Sequence, residues 1–172
     1  MTPVSNDSVV KAGPWKQILA VVSHSGDSLV WLTAMVLIAL LGEAYWRNWA
    51  LTILVGAIAV GLLVKIMKLI WRRQRPDGDW GEIYRRTDPY SFPSGHAARA
   101  AYLMTMSLAL GPLMLGLLLV IWAPLVCYSR IYLRLHVWFE VACGFLLGSV
   151  SALIFAMLLA SRPIDFSALF AA

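Results

Sequence analysis

Charge is scarce in this chain of 172 residues. Charged residues make up only 13% of it and hydrophobic residues 60%, with a mean hydropathy of +0.75. Soluble globular proteins carry roughly twice that share of charge and a smaller share of apolar residues. The composition therefore predicts an integral membrane protein, and the length leaves room for a single domain over residues 1–172.

Cysteine and histidine are also scarce, with two and three residues respectively. Cys127 and Cys143 both fall inside apolar runs, where we interpret them as small buried hydrophobic residues rather than as a disulfide or a reactive thiol. The sequence shows no cluster of histidine, cysteine and carboxylate side chains at the spacing of metal ligands. It therefore predicts neither a metal nor another cofactor.

The formal net charge of +5 is compatible with an anionic partner. Most of the cations flank apolar runs, so the predicted partners are membrane lipids and a phosphate group rather than nucleic acid. Residues 1–11 are polar and mixed in charge, which is not typical of a cleavable signal peptide. We expect residues 1–13 to form a flexible tail.

Five apolar runs are long enough, or nearly so, to cross a bilayer as helices. They cover residues 28–46, 49–71, 97–111, 113–130 and 137–160. Ahead of them, Trp15, Ile18, Leu19 and Val22 recur at helical spacing, which favours a short amphipathic helix in the membrane interface over an extension of the first span. The predicted fold is an all-α membrane helical bundle with about five transmembrane helices and one N-terminal interfacial helix.

Residues with unusual chemistry concentrate in two of the connections between these spans. One is the hydrophilic loop over residues 72–96, and the other joins the fourth and fifth spans. In an antiparallel five-helix arrangement both connections lie on the same side of the membrane. The ionisable and glycine-containing segments at their ends can therefore converge on one pocket, to which they would contribute Lys68, Arg75, Ser94, Gly95, His96, Arg130, His136 and Glu140.

These residue types suit the transfer of a phosphoryl group. Lysine and arginine can hold the non-bridging oxygens, amides at a helix start capped by Ser94 can add donors, and two histidines can serve as nucleophile and acid. Glu140 stands four residues after His136, so it can bond Nδ1 and present Nε2 to phosphorus. Taken singly, each has a plainer explanation, such as a lysine at a helix end, a Ser-Gly turn or an interfacial arginine.

Four cations near the end of the second span recur at helical spacing. Their spacings of three, four and three residues predict that they lie on one stripe of a helix: Lys65, Lys68, Arg72 and Arg75.

In this order, the residues resemble the type 2 phosphatidic acid phosphatase family, which shares its core with vanadium haloperoxidases. Three motifs carry the resemblance. Lys68 is followed by six residues and Arg75-Pro76, and Pro93-Ser94-Gly95-His96 is intact. Ser129-Arg130 is followed by five residues and His136, then by three residues and Glu140, where the family has aspartate.

The resemblance implies a metal-independent phosphatase of membrane lipids. His136 would be the nucleophile that forms a phosphohistidine, and His96 the acid for the leaving group. A phosphate site would be made by Lys68, Arg75, Ser94, Gly95 and Arg130. Substrates of this class include polyprenyl diphosphates, phosphatidate, phosphatidylglycerophosphate and lipid A phosphates. The first alternative is a membrane protein that keeps the fold but has lost phosphatase activity. The second alternative, ranked below it, is a vanadate-dependent haloperoxidase.

The charge distribution and the resemblance to the family predict opposite sides of the membrane for the active site. The predicted active-site side carries nine further cations, at Lys11, Lys16, Lys65, Arg72, Arg73, Arg85, Arg86, Arg99 and Arg134, and the opposite side has Arg47 and Arg162. The excess of positive charge predicts that the N-terminus and the site face the cytoplasm. The predicted location is a bacterial or archaeal cell membrane, and bacterial relatives in the family commonly work on the outer face. The oligomeric state is left open.

Overall fold

A computed structural model describes residues 13–75 and 88–161. This part of the chain folds into six helices, which confirms the predicted all-α membrane class. It contains no strand, only one isolated β-bridge between Gln74 and Tyr90. The helices are α1 (Pro14–Ser25), α2 (Ser28–Leu41), α3 (Ala44–Trp71), α4 (Gly95–Leu110), α5 (Leu113–Tyr132) and α6 (Trp138–Ser161). Residues 76–87, which include Pro76 and most of the acidic residues of the predicted loop, lie outside the described ranges, as do residues 1–12 and 162–172.

Three of these helices are long and apolar enough to cross a membrane unaided. They are α3, α5 and α6, with 28, 20 and 24 residues. The pair α1 and α2 meets the same criterion jointly, although the two helices are bent by 48° at the break between them. With 16 residues, α4 is shorter than a usual span, about 24 Å at the rise of an α-helix. The protein is an integral membrane protein, and length and composition support three or four spans in the described residues where the sequence predicted about five.

The N-terminal region differs most from the sequence-based prediction. The expected first span over residues 28–46 is broken at Gly42 and Glu43, so Trp46 belongs to α3. A helix is present where the amphipathic helix was expected, but this helix, α1, continues through the polar residues 23–25 and ends at Ser25. Its buried residues, Leu19 and Ser23, face the bundle while Trp15 is exposed.

The short helix α4 lies at the centre of the bundle and contacts α3, α5 and α6. Small side chains make this possible, because Ala97, Ala98, Ala100 and Ala101 are fully buried. On the facing side, a methyl group added at Gly144 or Gly148 of α6 would overlap the carbonyl groups of Ser94 and Ala98, respectively. The backbones of α4 and α6 therefore touch, as small residues allow in membrane helix packing.

These contacts fix the direction of each helix. Residues 94 and 98 lie against 144 and 148, so α4 and α6 run parallel. Gly95 lies beside Val64, and Tyr102 beside Gly56, so α3 runs antiparallel to α4. The end of α3 and the starts of α4 and α6 thus meet at one end of the bundle. The prediction that the two unusual connections share one side is confirmed.

Candidate active site

Two cations at the end of α3 hold a single carboxylate. Lys68, in the last turn, donates from Nζ to both carboxylate oxygens of Asp88, at 2.6 and 2.5 Å. Arg75 donates from Nη2 to one of the same oxygens at 2.5 Å and from Nε to the Asp88 carbonyl at 2.9 Å. Lys68 and Arg75 are buried, whereas the Asp88 side chain is 38% exposed. The pair therefore forms an anion-binding clamp that an internal carboxylate occupies.

The clamp continues directly to His136, which lies in the turn between α5 and α6. Arg75 Nη1 lies 3.2 Å from His136 Nε2 and donates to the Leu135 carbonyl at 3.2 Å. The other ring nitrogen, Nδ1, lies 3.1 Å from Glu140 Oε2. Because a carboxylate only accepts hydrogen bonds, Nδ1 carries the proton and Nε2 keeps its lone pair on the side of Arg75.

The surroundings of His136 keep its imidazole neutral. Burial lowers the pKa of His136 to about 4, and the charges of Arg130, Arg75 and Lys68 act in the same direction. The hydrogen bond with Glu140 opposes them by favouring the protonated ring. A lowered pKa means that protonation begins only as the pH falls towards about 4, so the Nε2 lone pair is available at neutral pH.

Glu140 is fully buried at the start of α6 and both of its carboxylate oxygens are used. Oε2 accepts from the Val137 amide at 3.2 Å in addition to His136. Oε1 accepts from the Ser91 hydroxyl at 2.5 Å and forms an ion pair with Arg73 Nε at 3.1 Å. The carboxylate is therefore held in one orientation by groups from the long loop as well as from its own helix.

Ser94 and Arg130 complete the buried polar end of the bundle. Ser94 occupies the N-cap position of α4 as predicted but makes no capping hydrogen bond with its side chain, and its backbone N–H donates to the Glu140 carbonyl at 3.0 Å. Its hydroxyl is buried and has no hydrogen-bond partner among the described residues. Arg130 is 1% exposed, donates to Ser23 Oγ at 2.7 Å, and lies close enough to both His96 and His136 for its charge to act on them.

His96 lies in the first turn of α4, where an unexpected partner holds it. Its Nε2 lies 2.7 Å from Asp27 Oδ1, in the break between α1 and α2. Gly95 opens α4 against Val64, with room for a close approach to its backbone. The site therefore contains two histidines, each paired with a carboxylate, and three buried cations.

Comparison with known proteins identifies the family to which this chain belongs. A family model described as the PAP2 superfamily matches residues 49–163, well over half of the chain. The chain belongs to the PAP2 superfamily. It is similar to an undecaprenyl-diphosphatase from Sulfolobus acidocaldarius, with 27% identity over 151 residues that cover 86% of this chain and 72% of the relative. It also resembles the crystal structure of a transmembrane PAP2-type phosphatidylglycerolphosphate phosphatase from Bacillus subtilis, with a TM-score of 0.72 and 25% identity over 92% of this chain and 83% of that one.

Membership in the PAP2 superfamily confirms the resemblance stated from the three motifs. Both similar proteins are named as lipid phosphatases, and the prediction that this chain is a membrane lipid phosphatase is confirmed at that level. The roles of individual residues remain predictions. The structure brings five of the predicted site residues close to one another, as expected for side chains of one pocket: Lys68, Arg75, Arg130, His136 and Glu140.

Sequence reasoning missed four residues around the PAP2 motifs. Asp27 looked like a charge flanking the first span, and Asp88 like one of several acids in a hydrophilic loop. Ser91 and Arg73 carried no signal that connects them to Glu140. The predicted stripe of four cations was wrong, because α3 ends at Trp71 and Arg72 adopts a left-handed conformation with φ of 45°.

Because the Asp88 carboxylate occupies the clamp, it competes with any phosphate that binds there. Asp88→Asn should tighten inhibition by orthovanadate, a mimic of the phosphoryl transition state, by about fivefold or more, since the two cations lose their internal counter-charge. The measurement is the inhibition constant of vanadate for the variant and for Glu43→Gln, which removes a carboxylate at the opposite end of the bundle. Weaker inhibition of Asp88→Asn would mean that the carboxylate organises the cations instead of competing for them.

Proposed function

We propose that this protein hydrolyses the phosphate or diphosphate ester of a membrane lipid through a phosphohistidine on His136. The observation that carries the proposal is the orientation of one buried imidazole. Its Nδ1 is held by the Glu140 carboxylate at 3.1 Å, and its Nε2 lies 3.2 Å from a guanidinium nitrogen of the Arg75 clamp. A phosphoryl group bound by that clamp has the lone pair of Nε2 beside it.

In the first step, Lys68, Arg75 and Arg130 take the non-bridging oxygens of the substrate in place of Asp88. The Nε2 lone pair attacks phosphorus, the bond from phosphorus to the lipid oxygen breaks, and His96 gives that oxygen a proton. Glu140 balances the positive charge that develops on the His136 ring. The buried cations stabilise the charge that spreads over the equatorial oxygens in the transition state.

In the second step, water replaces His136 on phosphorus. His96, now neutral, takes a proton from the attacking water, the bond between nitrogen and phosphorus breaks, and phosphate leaves. The Ser94 hydroxyl, which has no hydrogen-bond partner among the described residues, and the backbone at Gly95 would add contacts to the phosphate. The three cations supply the charge that a metal would supply elsewhere, so we propose that the reaction needs none.

Aromatic side chains beside the site fit a lipid substrate. Phe92 stacks on Phe139 with ring centroids 5.5 Å apart and meets Trp71 at 5.7 Å. Phe92 is close in sequence to Ser94, and Phe139 adjoins Glu140, so these rings lie at the same end of the bundle as the site. They give apolar tails a surface next to the phosphate. We propose the polyprenyl diphosphate, phosphatidate or phosphatidylglycerophosphate class.

We also propose that the active site faces the cytoplasm. Among the described residues, Lys16, Lys65, Arg73, Arg99 and Arg134 all belong to the segments that end at the site. Arg47 follows the α2–α3 connection at the other end. The excess of positive charge at the site end supports this orientation, although some of these cations also bind within the site.

A substrate panel tests the function. Purified protein in detergent should release phosphate from at least one of polyprenyl diphosphate, phosphatidate and phosphatidylglycerophosphate, equally well with and without EDTA. His136→Ala should lower kcat by about 10³-fold or more, because no other side chain in the described part of the chain has a nitrogen lone pair beside the clamp. Glu43→Gln is the matched control and should keep full activity. A folded protein that releases no phosphate from any of the three, or that needs Mg²⁺, would contradict the proposal.

Glu140 tests how His136 is activated. Glu140→Gln should lower kcat by between about 10² and 10⁴, because the amide lacks the charge and can offer Nδ1 the wrong hydrogen-bond partner. Glu140→Asp keeps the charge and should retain activity within about tenfold of the unmodified protein, since one methylene of reach is lost. The rates of phosphate release by the two variants distinguish the effect of losing the carboxylate charge from the effect of shortening the side chain. Equal activities would show that the carboxylate plays no part in turnover.

The orientation can be measured with single cysteines in a variant that lacks Cys127 and Cys143. Arg134→Cys, at the site end, should react with an impermeant thiol reagent only after cells are opened, because the site end faces the cytoplasm. Glu43→Cys, at the opposite end, should react in intact cells. The reversed pattern would place the site on the outer face.

A further inference from the structure

One carboxylate near the site has no part in the mechanism above. Asp27 lies in the two-residue break between α1 and α2, where its backbone is extended. Its Oδ1 lies 2.7 Å from His96 Nε2, and its Oδ2 lies 3.0 Å from His24 Nδ1. The contact with His96 connects residues 69 positions apart in the chain. It therefore depends on the tertiary fold and not on local geometry.

We propose that Asp27 is a positioning residue for His96, with the same relation to it that Glu140 has to His136. This inference rests on the proposed function, in which His96 gives a proton to the leaving oxygen. Asp27 would fix which nitrogen of His96 holds the transferable proton and would stabilise the ring while it is charged.

The hydrogen bond decides the protonation pattern of His96. A carboxylate oxygen can only accept, so Nε2 keeps its hydrogen and points it at Asp27. The proton that is transferred must then leave from Nδ1, the nitrogen that Asp27 does not use. The ring that acts as acid therefore carries a hydrogen on both nitrogens, and the Asp27 carboxylate offsets its positive charge. As the bond from phosphorus to the lipid oxygen breaks, this proton moves to that oxygen. Water returns a proton to Nδ1 in the second step, so His96 ends each turnover as it began.

The surrounding backbone is built to bring Asp27 to this place. Gly26 lies so close to α4 and α5 that an added methyl group would be 2.9 Å from Val126 and 3.2 Å from the His96 ring. The Gly26 carbonyl accepts from Arg99 Nη1 at 2.6 Å, which ties the break to α4. The 48° bend between α1 and α2 thus coincides with the point where the chain touches the second histidine.

Other groups near His96 do not replace the carboxylate. Arg99 and Arg130 are cations and oppose a charged imidazole, and His24 contacts Asp27 rather than His96. The His24 side chain is 66% exposed, so it connects Oδ2 to solvent and restrains the plane of the carboxylate. Among the described residues, Asp27 is the acid that balances a positive charge on His96.

The test compares two leaving groups in one preparation of Asp27→Asn. With an alkyl lipid monophosphate, whose leaving oxygen needs a proton, kcat/KM should fall by about 10²-fold or more. With an aryl phosphate that has an acidic leaving group, it should fall by less than about threefold. A misfolded fraction would lower kcat/KM for both substrates by the same factor. The ratio of the two kcat/KM values therefore reports only on proton transfer from His96 to the leaving oxygen. Glu43→Gln should leave the ratio unchanged, and equal losses for both substrates would overturn the proposal.

A measurement that needs no turnover separates this inference from the proposed function. The ring nitrogens of the three histidines can be followed by ¹⁵N NMR in labelled protein. The Nε2 signal of His96 should be that of a protonated nitrogen, and this signal should change in Asp27→Asn but not in Glu43→Gln. An unchanged His96 spectrum in Asp27→Asn would overturn the inference even in a fully active phosphatase. The expected change in a protein without phosphatase activity would support the contact and contradict the proposed function alone.

Discussion

The Glu140 carboxylate is the contact on which the rest of the site depends. It accepts hydrogen bonds from His136, from the Val137 amide and from Ser91, and pairs with Arg73. Its own carbonyl accepts from the Ser94 amide that opens α4. One residue therefore connects the turn that holds His136, both described ends of the long loop and the helices α4 and α6. Because the side chain is fully buried, an unpaired charge there would be strongly destabilising, so the carboxylate needs these partners.

A second constraint is that most of the buried charges at this end have a counter-charge among the described residues. Lys68 and Arg75 share Asp88, while His96 pairs with Asp27. Ionisable groups at the edge of a membrane-embedded bundle are costly unless they are paired or used. The resting protein pairs Lys68 and Arg75 internally, and in the proposed mechanism the substrate phosphate takes the place of Asp88 when it binds. The chemistry and the stability of this end are thus properties of the same set of contacts.

The sequence predicted those parts of the fold and the site that depend on local pattern. The apolar runs predicted α3, α5 and α6 to within a few residues at most ends, and the spacing of the three motifs identified Lys68, Arg75, His136 and Glu140 as candidates for one pocket. The break at Gly42 and Glu43 was missed because one small and one acidic residue hardly interrupt an apolar run. Asp27 and Asp88 were missed because their partners lie far along the chain, where only tertiary packing decides which acid meets which base.

The backbone contact between α4 and α6 has a consequence for the environments in which the protein can work. His96 and His136 stand at the starts of these two helices, and the distance between the helices is set by carbonyl groups lying against Gly144 and Gly148. Covalent backbone is far less compressible than side chains or lipid tails. The spacing of the two imidazoles is therefore insulated from changes in bilayer thickness and lipid composition. A phosphatase whose own substrates are components of its solvent benefits from such independence.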